Sequence, residues 1–460
     1  MHKTATICFF SLVNILFALM LNMQYGGLLL PSLIGNSYDQ RRILQLVLIL
    51  ILSLAISINK SWRDQCISEF KSLPTIIKSS IFLFFLIGLI SSFNTVSGFN
   101  YITLPKQAFL QVGLYISFLF CTLLISQWVQ DSPRKFYTWA IITLFLMITS
   151  YMLLISHNLL FFLRNKYLNS GQTMDASIYA TSIWQTLMSP TFANIRFLSQ
   201  FMTWSWPLLA LPLITKNNLA TSTKALVFFV MITWFYQTFM LQGRANILEF
   251  IAAPPILLLI YRKSALPWVK WQAFALILGL IAWYIIYDKV ISGSYRSDLK
   301  ITEHTERWYI YLASLKLAIQ HPFLGVGPMH LSIKPVTFGN YIGSIATPHN
   351  VLCKIMAEWG IPAFILFCLT SCIGIYSWFK QAYLQACFQA KNTSILNNSD
   401  NQHNNLAISM CLSASMLSGL IHSMISGVTT MPLSQTAMIF IIGWAWGMYK
   451  VNAKSSREYS

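Results

Sequence analysis

Residues 361–379 read IPAFILFCLTSCIGIYSWF, an uncharged apolar run long enough to cross the hydrocarbon core of a bilayer as a helix. Runs of this kind recur from end to end. They lie near 5–23, 43–58, 80–97, 107–129, 136–156, 198–215, 225–242, 246–261, 271–287, 361–379, 406–427 and 434–449. The chain is 56% hydrophobic and only 10% charged, too little charge to cover the surface of a soluble protein of 460 residues. The pattern therefore predicts an all-α polytopic membrane protein of about twelve helices. The first run lacks a small-x-small cleavage site and is too long for a signal-peptide core, so it reads as a retained helix.

Charge gives the orientation. With the N-terminus inside, the inner segments hold seventeen Lys and Arg and the short outer segments hold four, Arg41, Arg42, Lys106 and Arg244. That asymmetry favours an N-in, C-in arrangement. It also accounts for the net charge of +18 without invoking nucleic acid. The eight cysteines form no CxxC pair, and no disulfide framework or metal site is expected.

Two outer segments are long, about 157–197 and 288–360. The division expected is a bundle over 1–287, a catalytic loop over 288–360, and C-terminal helices with a tail over 361–460. Within the loop, ERWYIYLASLKLAIQ (306–320) sets Trp308, Leu312, Leu315 and Ile319 at helical spacing. This predicts an amphipathic helix lying on the membrane or on other helices, with Arg307 beside the stripe and free to face a wet cleft. Gly325-Val326-Gly327-Pro328 reads as a turn. In Ala346-Thr347-Pro348-His349-Asn350, Thr347 reads as an N-cap and Pro348 as the first helical residue. His349 then falls in the first turn, where the positive helix end favours a neutral imidazole able to accept a proton. On that reading His349, Cys353, Met356 and Gly360 share one stripe, with Gly360 allowing close approach. His422 is expected to lie buried in a helix, bonded to a neighbouring polar group. Arg244 reads either as an interfacial cation paired with Glu249 or as a fixed cation for an anionic headgroup. No paired carboxylates, HExxH or GxSxG occur, so an enzyme of this composition works with His and Arg.

Glu306-Arg307-Trp308, the run His321-Pro322-Phe323-Leu324-Gly325-Val326-Gly327, then Pro348-His349-Asn350 and Gly360 together resemble the O-antigen ligase superfamily. That group comprises O-antigen ligases, O-antigen polymerases and bacterial O-linked oligosaccharyltransferases. The family pattern is met at His349, Asn350 and Gly360 and departs from it at Ala363. Gln242-Gly243-Arg244-Ala245 is similar to a family Ser-Arg-Gly segment in altered order. Asn36–Arg42 and Asn194-Ile195-Arg196-Phe197 look more like the protein-glycosylating branch.

The resemblance implies a metal-independent transferase that needs no cofactor. It would move a glycan en bloc from an undecaprenyl-pyrophosphate carrier to a hydroxyl acceptor at the periplasmic face of the inner membrane. His349, Arg307 and Arg244 are the implied catalytic residues, and Asn350, Arg196, Gly360 and Tyr311 the substrate-binding ones. The acceptor expected is Ser or Thr of a pilin, with lipid A core next and a polysaccharide end third. A lipid-linked-glycan flippase is the rival from a different class, but such carriers are usually built from two related halves, and no half-to-half repeat is evident.

Overall fold

The computed structural model describes residues 11, 37–93, 105–168, 195–215, 219–240, 244–286, 304–331, 333–338, 341–345, 348–392, 400–426 and 432–458. Its helices are α1 (Ser37–Ile58), α2 (Lys60–Lys71), α3 (Thr75–Phe93), α4 (Pro105–Asp131), α5 (Pro133–Leu168), α6 (Ile195–Leu209), α7 (Thr221–Met240), α8 (Arg244–Tyr261), α9 (Leu266–Ile286), α10 (His304–Gln320), α11 (Val351–Asn392), α12 (Asp400–Ser423) and α13 (Pro432–Glu458). The membrane part is helical, as expected. Between α10 and α11 lies one antiparallel hairpin, β1 (Ile333–Phe338) with β2 (Tyr341–Ile345), pairing Ile333 with Ile345 and Phe338 with Tyr341 across a bulge between Ile333 and Val336. The sequence reading had only helices there.

Among the described residues, six helices are long and apolar enough to cross a membrane: Thr75–Phe93, Ala108–Asp131, Pro133–Met152, Ala245–Ile285, Val351–Cys387 and Gln402–Ser423. The protein is a multi-pass membrane protein. The expected span 246–261 and most of 271–287 fall inside one of the six, which breaks at Arg262, where φ is +53°. The expected spans 198–215, 225–242 and 434–449 are helical without joining the six. Apart from Ser11, the run 5–23 lies outside the described residues.

The sequence reading passed over α2. Asn59 begins it, its side-chain oxygen accepting from the backbone N–H of Ser61 (3.0 Å) and Trp62 (3.3 Å). The helix carries Glu69 into the bundle, where one carboxylate oxygen accepts from four groups. These are Ser126 (2.8 Å), Gln130 (3.0 Å), Trp446 (2.9 Å) and Lys450 (2.8 Å). That cluster clamps α2, α4 and α13.

Beside it, α4 and α13 meet along a small-residue seam. A Cβ at Gly443 would stand 2.8 Å from Ile125 Cβ, and one at Gly447 2.7 Å from Ser126 O. Close backbone approach of this kind is how membrane helices gain packing when lipid removes the hydrophobic drive. Gly447→Leu is therefore expected to cost about 1–3 kcal/mol by overpacking, read as a lower thermal midpoint of the detergent-solubilised protein.

Candidate functional site

The site is built around a break in α11. Gly360 adopts φ +85° and ψ 170°, interrupting the helix after Trp359. The residue at 362 is proline, which has no N–H to give to the carbonyl of Glu358. Meanwhile Ile361 N–H turns away from Ala357 and donates to Pro322 O at 2.8 Å. The two orphaned carbonyls are taken by the loop. Val326 N–H donates to Ala357 O at 2.9 Å, and Gly327 N–H to Glu358 O at 3.0 Å. Residues 322–327 are thus laced into the helix break.

Two glycines make that lacing possible. A Cβ at Gly360 would collide with the Phe323 carbonyl, and one at Gly325, φ +66°, with the backbone of Glu358. The close approach expected at Gly360 is therefore made by the loop itself. The Gly325–Pro328 segment is a turn, as read. His330, buried beneath it, bonds Pro328 O through Nδ1 at 2.7 Å. Glu358, fully buried, lies 3.9 Å from Lys354 Nζ and faces the backbone of Met329. The sequence reading missed Glu358, and its place two residues before Gly360 was the available signal.

The break is anchored on α3. Trp359 stacks on Phe84 with ring centroids 4.6 Å apart, and Ser91 Oγ donates to Leu324 O at 2.5 Å.

Helix α10 lies over the first half of α11 by the face opposite the Trp308 stripe. Ile310, Ala313, Ser314, Leu317 and Ala318 turn inward, Ile310, Ala313 and Leu317 packing with Leu331 and Ala357. The small side chains of Ala313, Ser314 and Ala318 let the two helices approach. The bulky stripe points outward, with Trp308 66%, Leu312 48%, Leu315 42% and Ile319 66% exposed. Phe323, 75% exposed, continues it toward the end of α3.

The helix start near His349 also differs from the sequence reading. Thr347 lies outside the described residues, and the cap is Asn350. Asn350 Oδ1 accepts from Leu352 N–H (2.9 Å) and Cys353 N–H (3.1 Å). His349 therefore stands before the helix, not in its first turn, and shares no helical stripe with Cys353. It is half-buried and adopts φ +54°, a conformation histidine tolerates better than most residues. The other end of the Asn350 side chain is engaged too, donating from Nδ2 to Met424 O at 2.9 Å.

That bond leads to a buried polar node. His422 Nδ1 lies 2.7 Å from Glu249 Oε1 and 2.6 Å from Thr203 Oγ1. Thr203 also donates to Glu249 at 2.9 Å. Asn246 Nδ2 reaches Thr203 Oγ1 at 3.0 Å and Ser199 O at 3.2 Å, and Ser199 Oγ donates to Asn246 Oδ1. The polar partner expected for His422 is thus Glu249, the acid that the sequence reading set beside Arg244.

The backbone places Arg196, Arg244 and Arg307 in the opening turns of α6, α8 and α10. Their side chains lie outside the described residues. Tyr311 is half-buried on α10. The hydrogen bonds join the openings of α6 and α8, the end of α12 and the His349–Asn350 segment in one place.

Residues 226–368 match a family model described as O-antigen ligase. No curated protein matches the chain. The matched stretch runs from α7 into α11 and contains Arg244, Glu249, Arg307, Tyr311, His349, Asn350 and the Gly360 break. Over that stretch the chain is similar to the O-antigen ligase family.

Proposed function

We propose that the protein transfers a glycan en bloc from an undecaprenyl-pyrophosphate carrier to a hydroxyl at the periplasmic face of the bacterial inner membrane. Glycosyl transfer from a lipid-linked donor is the activity that the family match supports. The observation that carries the site is the position of His349. It is half-buried, held outside the helix by the Asn350 cap, and tied through Asn350 to the helix ends beside Arg244 and Arg196. Twelve spans, N-in and C-in, with 288–360 as the catalytic loop, complete the proposal.

The donor's lipid tail keeps it in the membrane, and its pyrophosphate needs cations. As the bond from C1 to the phosphate oxygen breaks, charge grows on the leaving pyrophosphate. Arg307 and Arg244, with Arg196 beside them, supply that stabilisation, and one well-aimed donor contributes about 3 kcal/mol. The acceptor hydroxyl attacks C1 from the opposite face while His349 accepts its proton. One displacement inverts the anomeric centre. Asn350 serves here by holding His349, since both ends of its amide are already engaged.

The acceptor proposed is Ser or Thr of a pilin. Lipid A core is the second reading, favoured by the description of the matching family. Intact-mass analysis of pilin and gel analysis of lipopolysaccharide, from cells with and without the protein, distinguish them. A pilin that loses mass supports the first, and a lost lipopolysaccharide ladder the second. If neither changes, both acceptor readings fail. Arg307→Lys is expected to slow transfer about tenfold, because an ammonium cannot reproduce a bidentate guanidinium on phosphate. An unchanged initial rate would remove Arg307 from phosphate binding.

A further inference from the structure

We propose that Glu249 and His422 form a positioning pair that sets the arginine-bearing helix openings around the leaving pyrophosphate. The inference rests on the reading of Arg244 as a phosphate ligand. Both residues are closed off from solvent, Glu249 at 0% and His422 at 2% exposure. They stand on spans, α8 and α12, where an ionisable side chain is costly and is retained mainly for function. A buried polar pair is a weak source of stability, since well-packed apolar residues commonly replace such pairs without loss.

Its contacts all lead to the site. Glu249 faces Asn246 and Thr203, and Asn246 follows Arg244 by two positions in the opening turn of α8. Ser199, bonded to Asn246, follows Arg196 by three in α6. His422 closes α12, and its carbonyl accepts from Ser426 N–H at 2.8 Å. Ser426 Oγ accepts from Gln200 at 3.1 Å, and Met424 O accepts from Asn350. One pair thereby fixes the spacing between two arginine-bearing turns and the segment holding His349. Glutamine at either position is of similar size but changes the bonds that set this spacing.

The test uses the purified full-length protein and undecaprenyl pyrophosphate itself as the binding probe. Glu249→Gln and His422→Gln are each expected to weaken binding about tenfold per folded molecule, with a lower thermal midpoint from breaking a buried pair. The double variant should lose no more than either single one. In an Arg244→Ala background, Glu249→Gln should cost nothing further, because the guanidinium it positions is gone. An equal loss with and without Arg244 overturns the positioning role. Wild-type binding by Glu249→Gln, with Arg244→Ala weakened, overturns it while leaving the site reading intact. Undiminished binding by Arg244→Ala sinks both. If Glu249→Gln does not fold, Thr203→Val removes one donor from the same carboxylate and should weaken binding about threefold, again only when Arg244 is present. No loss in that variant counts against the pair.

Discussion

His349→Ala yields a protein that inserts, survives solubilisation and transfers no glycan. The side chain is half-buried and precedes the helix cap, so its removal opens no large core cavity. The loss expected is the contribution of a general base, about 10²–10⁴ in rate. Alanine tolerates the positive φ of 54° less well than histidine, which adds about 1 kcal/mol of strain. His349→Asn removes that ambiguity, because asparagine accepts the same backbone conformation and cannot act as the base. Both variants should be equally silent in pilin mass analysis and lipopolysaccharide gels from complemented cells. Wild-type-like glycosylation by either one excludes His349 as the base. It would also reopen the transport reading, since a carrier has no need of this imidazole.

Gly360→Val is expected to destroy both stability and activity. Valine at φ +85° is strained, and its Cβ would collide with the Phe323 carbonyl. Strain and overpacking together cost about 3 kcal/mol or more. The same helix supplies a control. Gly374 has open space around its Cβ position, so Gly374→Ala should be neutral or slightly stabilising. Thermal unfolding in detergent separates them: a large drop for the first and none for the second. Equal midpoints would mean that the loop is not laced into the helix break.

The parts of the fold written as local periodicity were legible in the sequence. Apolar runs such as 361–379 became helices, and Glu306–Gln320 became a helix. The parts set by pairing at a distance were not. The outward turn of Trp308, Leu312, Leu315 and Ile319 depends on Ala313, Ser314 and Ala318 fitting closely against α11. Periodicity finds a stripe, but not which side of the helix meets protein and which meets lipid. The cap moved from Thr347 to Asn350 because Asn350 has two uses, one for its own helix and one for Met424. No local rule holds the second. His422 and Glu249 were each visible as buried ionisable residues, yet 173 positions separate them, so their pairing appeared only in three dimensions.

The break at Gly360 also bears on how relatives of this protein can be recombined. Loop residues 322–327 complete the hydrogen bonding of a membrane helix, and that helix in turn caps the loop. Neither half is a finished module. A chimera that imports a foreign loop to change the acceptor, joined at residue 360, parts the Ile361 N–H from the Pro322 carbonyl matched to it. A graft that carries the loop together with the first turns of the following span, through Pro362, keeps donors and acceptors matched.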